Sequence, residues 1–151
     1  MEKVKEVPYG VADFVTVMEQ NLYYVDKTMF IPELEKQPRN LFFIRPRRFG
    51  KSIFLSMLHS YYDCNQSAKF QSLFGNLWIG QHPTESQGKY QVLFLDFSQV
   101  SGNIDSLERN FDFYCSVKLD GFMRRYGESY SEETREKVRK AEYAMDKLAF
   151  I

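Results

Sequence analysis

The chain has 151 residues, which suits one domain, and a hydrophobic fraction of 44% supports a sizeable core. Lysine plus arginine equals aspartate plus glutamate, at 20 each, and this balance argues against a broad nucleic-acid-binding surface. Two distant cysteines, Cys64 and Cys115, argue against a disulfide framework or a structural zinc site and favour a reduced, cytoplasmic setting. No apolar stretch is long enough to span a membrane, and the N-terminus lacks the apolar segment of a signal peptide.

The N-terminal residues predict a loose start followed by a short helix. Residues 1–8 are charged and are expected to be loose. Apolar residues then recur at helical spacing and predict an amphipathic helix that reaches about Gln20. Residues 22–25 form a short strand or an extended segment, and residues 37–40 (Gln-Pro-Arg-Asn) act as a breaker.

Between these segments lies a second predicted helix that ends near Lys36. Asp26 or Thr28 can cap it, and Pro32 is tolerated only in its first turn, where backbone N–H groups have no partner. Asp26 and Lys27 have two interpretations at this stage. Asp26 is a helix cap, which is favoured, or the segment lies over a bound nucleotide.

Residues 41–62 combine an apolar run, a basic turn and a helical pattern. Leu41–Ile44 predicts a strand, Gly50-Lys51-Ser52 closes the turn, and apolar residues at helical spacing continue to about Asp63. A strand, a glycine turn, Lys-Ser and a helix in this order are typical of a phosphate-binding loop. The usual pattern has a further glycine five residues before Gly50, and this chain has Arg45 there.

Each part of the turn has a chemical reason to contact phosphate. Gly50 lets the backbone approach the anion, and the N–H groups of the helix start point at it. The Lys51 ammonium is expected to reach the β- and γ-phosphates, and the Ser52 hydroxyl to bind Mg²⁺. Further positive charge comes from Arg45, Arg47 and Arg48.

A second apolar run, from Gln91 to Phe97, follows a helical stretch over residues 68–73, a turn at 74–77 and a polar loop at 81–89. Such a run fits a strand buried on both faces, as in a parallel sheet. We therefore expect an α/β fold of the P-loop NTPase type, with an incomplete parallel sheet flanked by helices. Asp96 ends this run, as a magnesium-binding acid would, although a structural role at the strand end is the alternative.

The C-terminal third predicts two helices. The first runs from Ile104 to about Arg125, with Gly127 as its stop, and its expected apolar stripe includes Cys115 and the set Ile104, Leu107, Phe111, Tyr114 and Val117. A capping-box pattern at residues 129–132 starts a charged helix from about Ser131. Its expected apolar face is Val138, Ala141, Met145 and Leu148.

Several strings resemble the bacterial AAA-ATPase-like family. They are Val7-Pro8-Tyr9-Gly10, the YVDKT string at 24–28, RPRRFGKS at 45–52, and VLFLDFS at 92–98, with Leu73-Phe74 and Leu77-Trp78-Ile79. The resemblance covers nearly the whole chain and accounts for Arg45, which the family also has. It implies a P-loop that binds ATP and Mg²⁺ through the stretch Arg45, Pro46, Arg47, Arg48, Phe49, Gly50, Lys51, Ser52 and Ile53. It also implies that the strand ending in Asp96 is not the acid-bearing one.

Members of this family often carry a nuclease-like domain of the PD-(D/E)XK type after the ATPase. Their second acidic motif is an apolar strand that ends in Asp-Glu, and this chain stops before any such run. We therefore expect the N-terminal part of a longer ATPase domain, with nucleotide binding but weak or absent hydrolysis. The alternative is a non-enzymatic interaction domain that needs a partner, a second copy of itself or the C-terminal portion of the same protein.

Overall fold

The computed structural model describes residues 4–38 and 40–151, which form two compact units divided between Gln91 and Val92. The predicted loose start falls partly on residues 1–3, and the predicted breaker includes Arg39, so those parts lie outside the described residues. None of the described helices has the length and apolar character required to cross a membrane.

The first unit is a cluster of short helices around one longer helix. In chain order they are α1 (Phe14–Glu19), a 3-10 turn (Thr28–Phe30), α2 (Ile31–Glu35), α3 (Lys51–Tyr62), a 3-10 turn (Cys64–Lys69), α4 (Phe70–Phe74) and α5 (Trp78–Gln81). Helix α3 supplies Phe54, Met57 and Tyr61 to the core. They pack with buried residues from the other helices and from the turn before α5, namely Phe14, Ile31, Leu73, Phe74, Leu77 and Ile79.

Helix α1 is attached to α3 by hydrogen bonds as well as by apolar contacts. Asp13 caps α1, and its carboxylate accepts from the Thr16 N–H at 2.7 Å. The Ser56 hydroxyl of α3 accepts from the Phe14 N–H at 2.9 Å and donates to the Asp13 carboxylate at 3.2 Å. One serine therefore links the start of α1 to the middle of α3, where the ring of Phe14 enters the core.

The second unit contains a 3-10 turn (Phe97–Gln99), α6 (Ile104–Tyr126), a 3-10 turn (Gly127–Ser129), α7 (Glu132–Lys140) and α8 (Ala144–Ala149). The long helix α6 begins at its cap Asn103 and ends at Gly127, which confirms both predicted boundaries to within a residue. Ser131 caps α7 by accepting from the Thr134 N–H at 3.2 Å. This confirms the predicted start of the charged helix.

The buried face of α6 differs from the predicted stripe. Cys115 is buried as expected, together with Leu119, Phe122 and Tyr126. The other residues of the predicted stripe are not buried: Ile104 is 92% exposed, and Leu107, Phe111, Tyr114 and Val117 are at least partly exposed. The buried set begins about three turns into the helix, because α7 and α8 cover the C-terminal half of α6.

The C-terminal helix is interrupted, which changes its buried face. Residues 141–143 separate α7 from α8, so the single predicted helix is wrong. Because of the break, the residues that are buried in the second segment are not the predicted ones. Val138 stays buried, but Met145 and Leu148 are exposed, and Ala144 and Lys147 are buried in their place.

The predicted α/β fold with an incomplete parallel sheet is wrong. Across residues 4–38 and 40–151 there is no strand, and the pairing of Asp63 with Tyr90 is an isolated bridge. Residues 41–46 lie outside regular structure, with Phe42 95% and Ile44 84% exposed. An apolar run favours an extended conformation, but a strand also needs a second extended segment that forms hydrogen bonds with its backbone.

The second predicted strand has a different explanation. The Val92 N–H donates to the Tyr126 hydroxyl at 3.3 Å, and the Asp96 N–H donates to the Tyr114 hydroxyl at 2.6 Å. Leu93 packs against the core of the second unit. This run is therefore held by side chains of α6 rather than by a sheet.

Smaller differences concern the helices of the first unit. The helix predicted up to Gln20 starts only at Phe14. The predicted turn at 74–77 is confirmed at 75–77, and Phe74 is the last residue of α4. The predicted helix to Lys36 is confirmed as a 3-10 turn followed by α2, with Pro32 in the first turn. Residues 22–25 have no regular secondary structure.

Asp13→Ala is expected to lower the free energy of unfolding by about 1 kcal/mol at pH 7, because an N-cap is lost. Partial burial raises the pKa of the Asp13 carboxyl, but hydrogen bonds from Thr16 and Ser56 outweigh it, and the pKa lies below its ordinary value of 3.8. Because the pKa of this carboxyl is lower in the folded state than in the unfolded state, its ionisation stabilises the fold at pH values above 3.8. That contribution is lost as the pH falls through the pKa of the folded state. Urea unfolding at pH 7 and at about pH 3 measures this difference.

Asp13→Asn is the matched control, since asparagine also caps helices but does not titrate. We expect it to be closer to wild type at pH 7, with less acid dependence than wild type. A stability difference between wild type and Asp13→Ala that is unchanged at low pH would contradict the assignment.

Candidate functional site

The turn that precedes α3 adopts a conformation that favours glycine. Gly50 is the N-cap of α3, with φ 73° and ψ 24°, in the left-handed region. Arg48 also has a positive φ of 65°, which is uncommon for a residue with a Cβ. Two left-handed residues so close together bend the chain sharply from the exposed basic turn into the helix.

The start of α3 presents unsatisfied donors. The first intrahelical bond runs from the Phe54 N–H to the Gly50 carbonyl at 3.0 Å. The N–H groups of Lys51, Ser52 and Ile53 precede it, and such groups have no acceptor within a helix. Gly50 offers no side-chain cap, and the first turn carries no acidic residue. The partial positive charge of the helix end is therefore not neutralised by its own sequence.

Lys51 folds back onto the turn. Its ammonium donates to the Arg45 carbonyl at 2.6 Å and to the Pro46 carbonyl at 3.0 Å. These bonds connect the two ends of the turn, because Arg45 and Pro46 lie at its start and Lys51 lies at its end. The ammonium thus sits within the loop that the sequence assigned to phosphate.

A cavity of about 440 Å³ lies beside Gly50. Its apolar wall includes Phe43, which stacks on Phe54 with ring centroids 5.2 Å apart and carries the Arg45 guanidinium 5.5 Å from its own centroid. The remaining lining residues are Lys27, Phe30, Glu33, Leu34, Gln37 and Phe49. A cavity of this size with an aromatic wall and two cations is within the range of small-molecule sites.

Sequence reasoning missed most of this wall. Lys27 belongs to the segment that the sequence places over a nucleotide as one interpretation, whereas Phe30, Glu33, Leu34 and Gln37 were not expected at the site. These four residues recur at the three- and four-residue spacing of one helical face, in α2 and the residues that flank it. That spacing could have indicated a common surface, but it could not show that the surface faces the turn at Gly50.

The other predicted residues of the turn are more open. Ser52 is exposed, and Pro46, Arg47, Arg48 and Phe49 are exposed as well. Ile53 is partly buried and packs against the core of the first unit. One side of the turn is therefore exposed to solvent, and the other side is attached to the core of the first unit through Ile53 and Phe54.

Asp26 has a structural role, but the favoured interpretation of it as the cap of the following helix is wrong. The N-cap residues of the 3-10 turn and of α2 are Lys27 and Phe30, and neither element has a side-chain cap hydrogen bond. One carboxylate oxygen accepts from the N–H and the hydroxyl of Thr28, at 2.8 and 2.7 Å, and the other accepts from the Trp78 N–H at 2.7 Å. The Thr28 hydroxyl in turn accepts from the Ile79 N–H at 3.1 Å. Asp26 thus connects the segment before α2 to the start of α5, while its neighbour Lys27 lines the cavity.

Asp96 lies in the second unit and caps the 3-10 turn that follows it. Its carboxylate accepts from the Ser98 hydroxyl at 2.7 Å and the Ser98 N–H at 3.1 Å. These hydrogen bonds lower the pKa of the Asp96 carboxyl. The contacts match the structural alternative for this residue.

The chain is similar to known proteins over nearly its whole length. A family model described as "Predicted AAA-ATPase" matches residues 8–150. The chain is also 43% identical over 87 residues to a protein of Azotobacter chroococcum mcd 1 described as "Uncharacterized protein in vnfD 5'region". That match covers 52% of this chain but 16% of the relative, so the chain corresponds to a small part of that protein's length. No solved structure matches the chain.

Gly50→Ala is expected to lower the free energy of unfolding by about 1–2 kcal/mol, the cost of a left-handed conformation for an L-residue. An added Cβ would lie 3.5 Å from Ile53 and 3.8 Å from the Lys27 ammonium, which are ordinary contacts, so the cost is conformational. Chemical denaturation measures it.

Gly121→Ala is the control, since Gly121 lies inside α6 with nothing within 4 Å of the added Cβ. It is expected to raise the free energy of unfolding by about 0.5–1 kcal/mol. A stabilising effect of Gly50→Ala would show that Gly50 is not held in the left-handed region.

Proposed function

Because the chain belongs to the AAA-ATPase-like family of predicted ATPases, we propose that it binds ATP with the phosphates on the turn from Arg45 to Ile53. The observation that carries the proposal is the cavity beside Gly50, which combines the uncapped start of α3 with an aromatic wall and the cations Lys27 and Arg45. Family membership supports nucleotide binding in general, and the local geometry supports this place for it.

The phosphates would be bound by backbone donors and by lysine. The N–H groups at the start of α3 are free of intrahelical acceptors and lie at the positive end of a twelve-residue helix. Lys51 would exchange its bonds to the Arg45 and Pro46 carbonyls for phosphate oxygens. This exchange replaces neutral acceptors with charged ones and so makes stronger hydrogen bonds.

The base would be bound by the aromatic wall. Phe43 and Phe54 already stack on each other, and Phe30 and Phe49 line the same cavity. A planar base can stack on such rings while the ribose lies near the polar residues Glu33 and Gln37. In the proposed complex the phosphates would lie toward Gly50 and the base toward α2.

Mg²⁺ would be bound mainly by the nucleotide itself. Ser52 offers one exposed hydroxyl near the phosphates, and the described part of the chain has no cluster of three or more His, Cys, Asp or Glu residues that could bind a metal. Magnesium commonly keeps several waters and uses few protein ligands beside substrate phosphates, so one hydroxyl fits this mode. The proposed metal site leaves out Asp96, whose carboxylate is engaged by Ser98.

We expect binding with little turnover. Hydrolysis needs a group that orients the attacking water. Glu33 is the acidic residue in the wall of the described cavity, and its carboxylate pairs with Lys36 at 2.7 Å. The described lining of this cavity would therefore contact the phosphates, while its one carboxylate is already paired and is not expected to orient the water.

Lys51→Ala is expected to raise the Kd for Mg-ATP at least about tenfold, since a hydrogen bond to a charged group contributes about 1.5–3 kcal/mol. Isothermal titration of wild type and variant measures the change. Lys89→Ala is the matched control, because Lys89 is an exposed lysine of the same unit that does not line the cavity. Equal affinity of wild type and Lys51→Ala would overturn the proposal.

A second candidate function is association with another copy of the chain. Phe42 and Ile44 are 95% and 84% exposed beside the cavity residue Phe43, and exposed apolar side chains of this size favour contact with a partner. The C-terminal portion of a longer protein could cover the same residues.

Sedimentation velocity over a range of concentrations is expected to show reversible association that Phe42→Asp weakens. The control is Val7→Asp, another exposed apolar residue, which is expected to leave association unchanged. A chain that stays monomeric at all concentrations would contradict self-association.

A further inference from the structure

A second cavity, of about 570 Å³, lies entirely within the second unit. Helices α6, α7 and α8 each contribute to its wall, with Met123 and Val138 as apolar residues. Its charged residues are Asp120, Arg124, Glu132, Arg135, Arg139 and Lys147. Neither the phosphate turn nor the aromatic cavity beside it includes any of them.

Lys147 is the buried charge of this cavity. Its side chain is 9% exposed, and its ammonium pairs with the Asp120 carboxylate at 2.8 Å. An ammonium that is removed from water needs compensation, which Asp120 provides. Asp120 remains half exposed and faces the same cavity, so the pair forms one wall of it.

The three arginines are compensated less completely. Glu132 pairs closely with Arg135, at 2.7 Å, but lies 3.7 Å from Arg139, beyond hydrogen-bond distance. Among the described residues, no carboxylate is within ion-pair distance of Arg124. Four basic groups thus face two acidic ones, in a chain whose total charge is zero.

From this local excess of positive charge we infer that the cavity between α6, α7 and α8 binds a small phosphate-bearing molecule. Guanidinium groups bind phosphate through two parallel hydrogen bonds. They bind carboxylates in the same way, but a phosphate group carries a larger negative charge, which matches the local excess of positive charge better. The volume suits a compact ligand with one or two phosphate groups, and the apolar residues can contact its organic part. The inference is independent of the proposed ATP site, because it uses other residues in another unit.

The test uses pyrophosphate as the probe and the Lys51→Ala chain as the background, so that the turn before α3 does not contribute. As pyrophosphate is added, the NMR resonances of the Nε–Hε groups of Arg124, Arg135 and Arg139 are expected to shift along one common saturation curve. Arg139→Gln is expected to raise the Kd at least about tenfold. Arg124→Gln is a second variant. Arg124 is an exposed residue of α6, so its substitution does not disturb α7.

Lys140→Gln is the matched control, because it removes one positive charge from the same helix at a residue that pairs with Glu136 and does not line the cavity. Affinity close to that of the background chain is expected. Equal weakening by Arg139→Gln and Lys140→Gln, or linear shifts of all arginines without saturation, would overturn the inference. Malonate is expected to bind more weakly than pyrophosphate, and equal binding would overturn the preference for phosphate.

Discussion

The burial of one face of α3 is the constraint on which the first unit depends. Phe54, Met57 and Tyr61 are almost fully buried, and they belong to one core cluster with residues from every other α-helix of the unit. Burial of such large side chains contributes about 1.5–3 kcal/mol each. Because the middle and end of α3 are held in this way, its first turn has a definite position beside Lys27 and Phe43.

Hydrogen bonds restrict the same arrangement further. The Ser56 hydroxyl of α3 accepts from the partly buried Phe14 N–H of α1, and the Thr28 hydroxyl before α2 accepts from the buried Ile79 N–H of α5. Hydrogen bonds made by buried or partly buried groups carry a penalty when one partner is lost, so they favour one arrangement over similar alternatives. The cavity beside Gly50 exists because α2 and α3 are both fixed by contacts outside the cavity.

Charge is distributed unevenly within a chain that is neutral as a whole. The described residues contain two cavities with an excess of basic groups, one in each unit. The surface pairs on α7, such as Lys137 with Glu133, are exposed and contribute little to stability. The charges that we propose to bind ligands are those that line a cavity, and the net charge of the chain does not reveal them.

The sequence by itself determined the family, the turn at Gly50-Lys51-Ser52 and the helices around it. Local signals decide these features: helical periodicity, caps such as Asn103 and Ser131, and a glycine where the backbone is left-handed. Only the tertiary structure decided that the apolar runs at 41–44 and 92–97 are not strands, because pairing depends on a neighbour remote in sequence. It also decided which face of α6 is buried and which residues line each cavity, since both depend on the packing of helices from different parts of the chain.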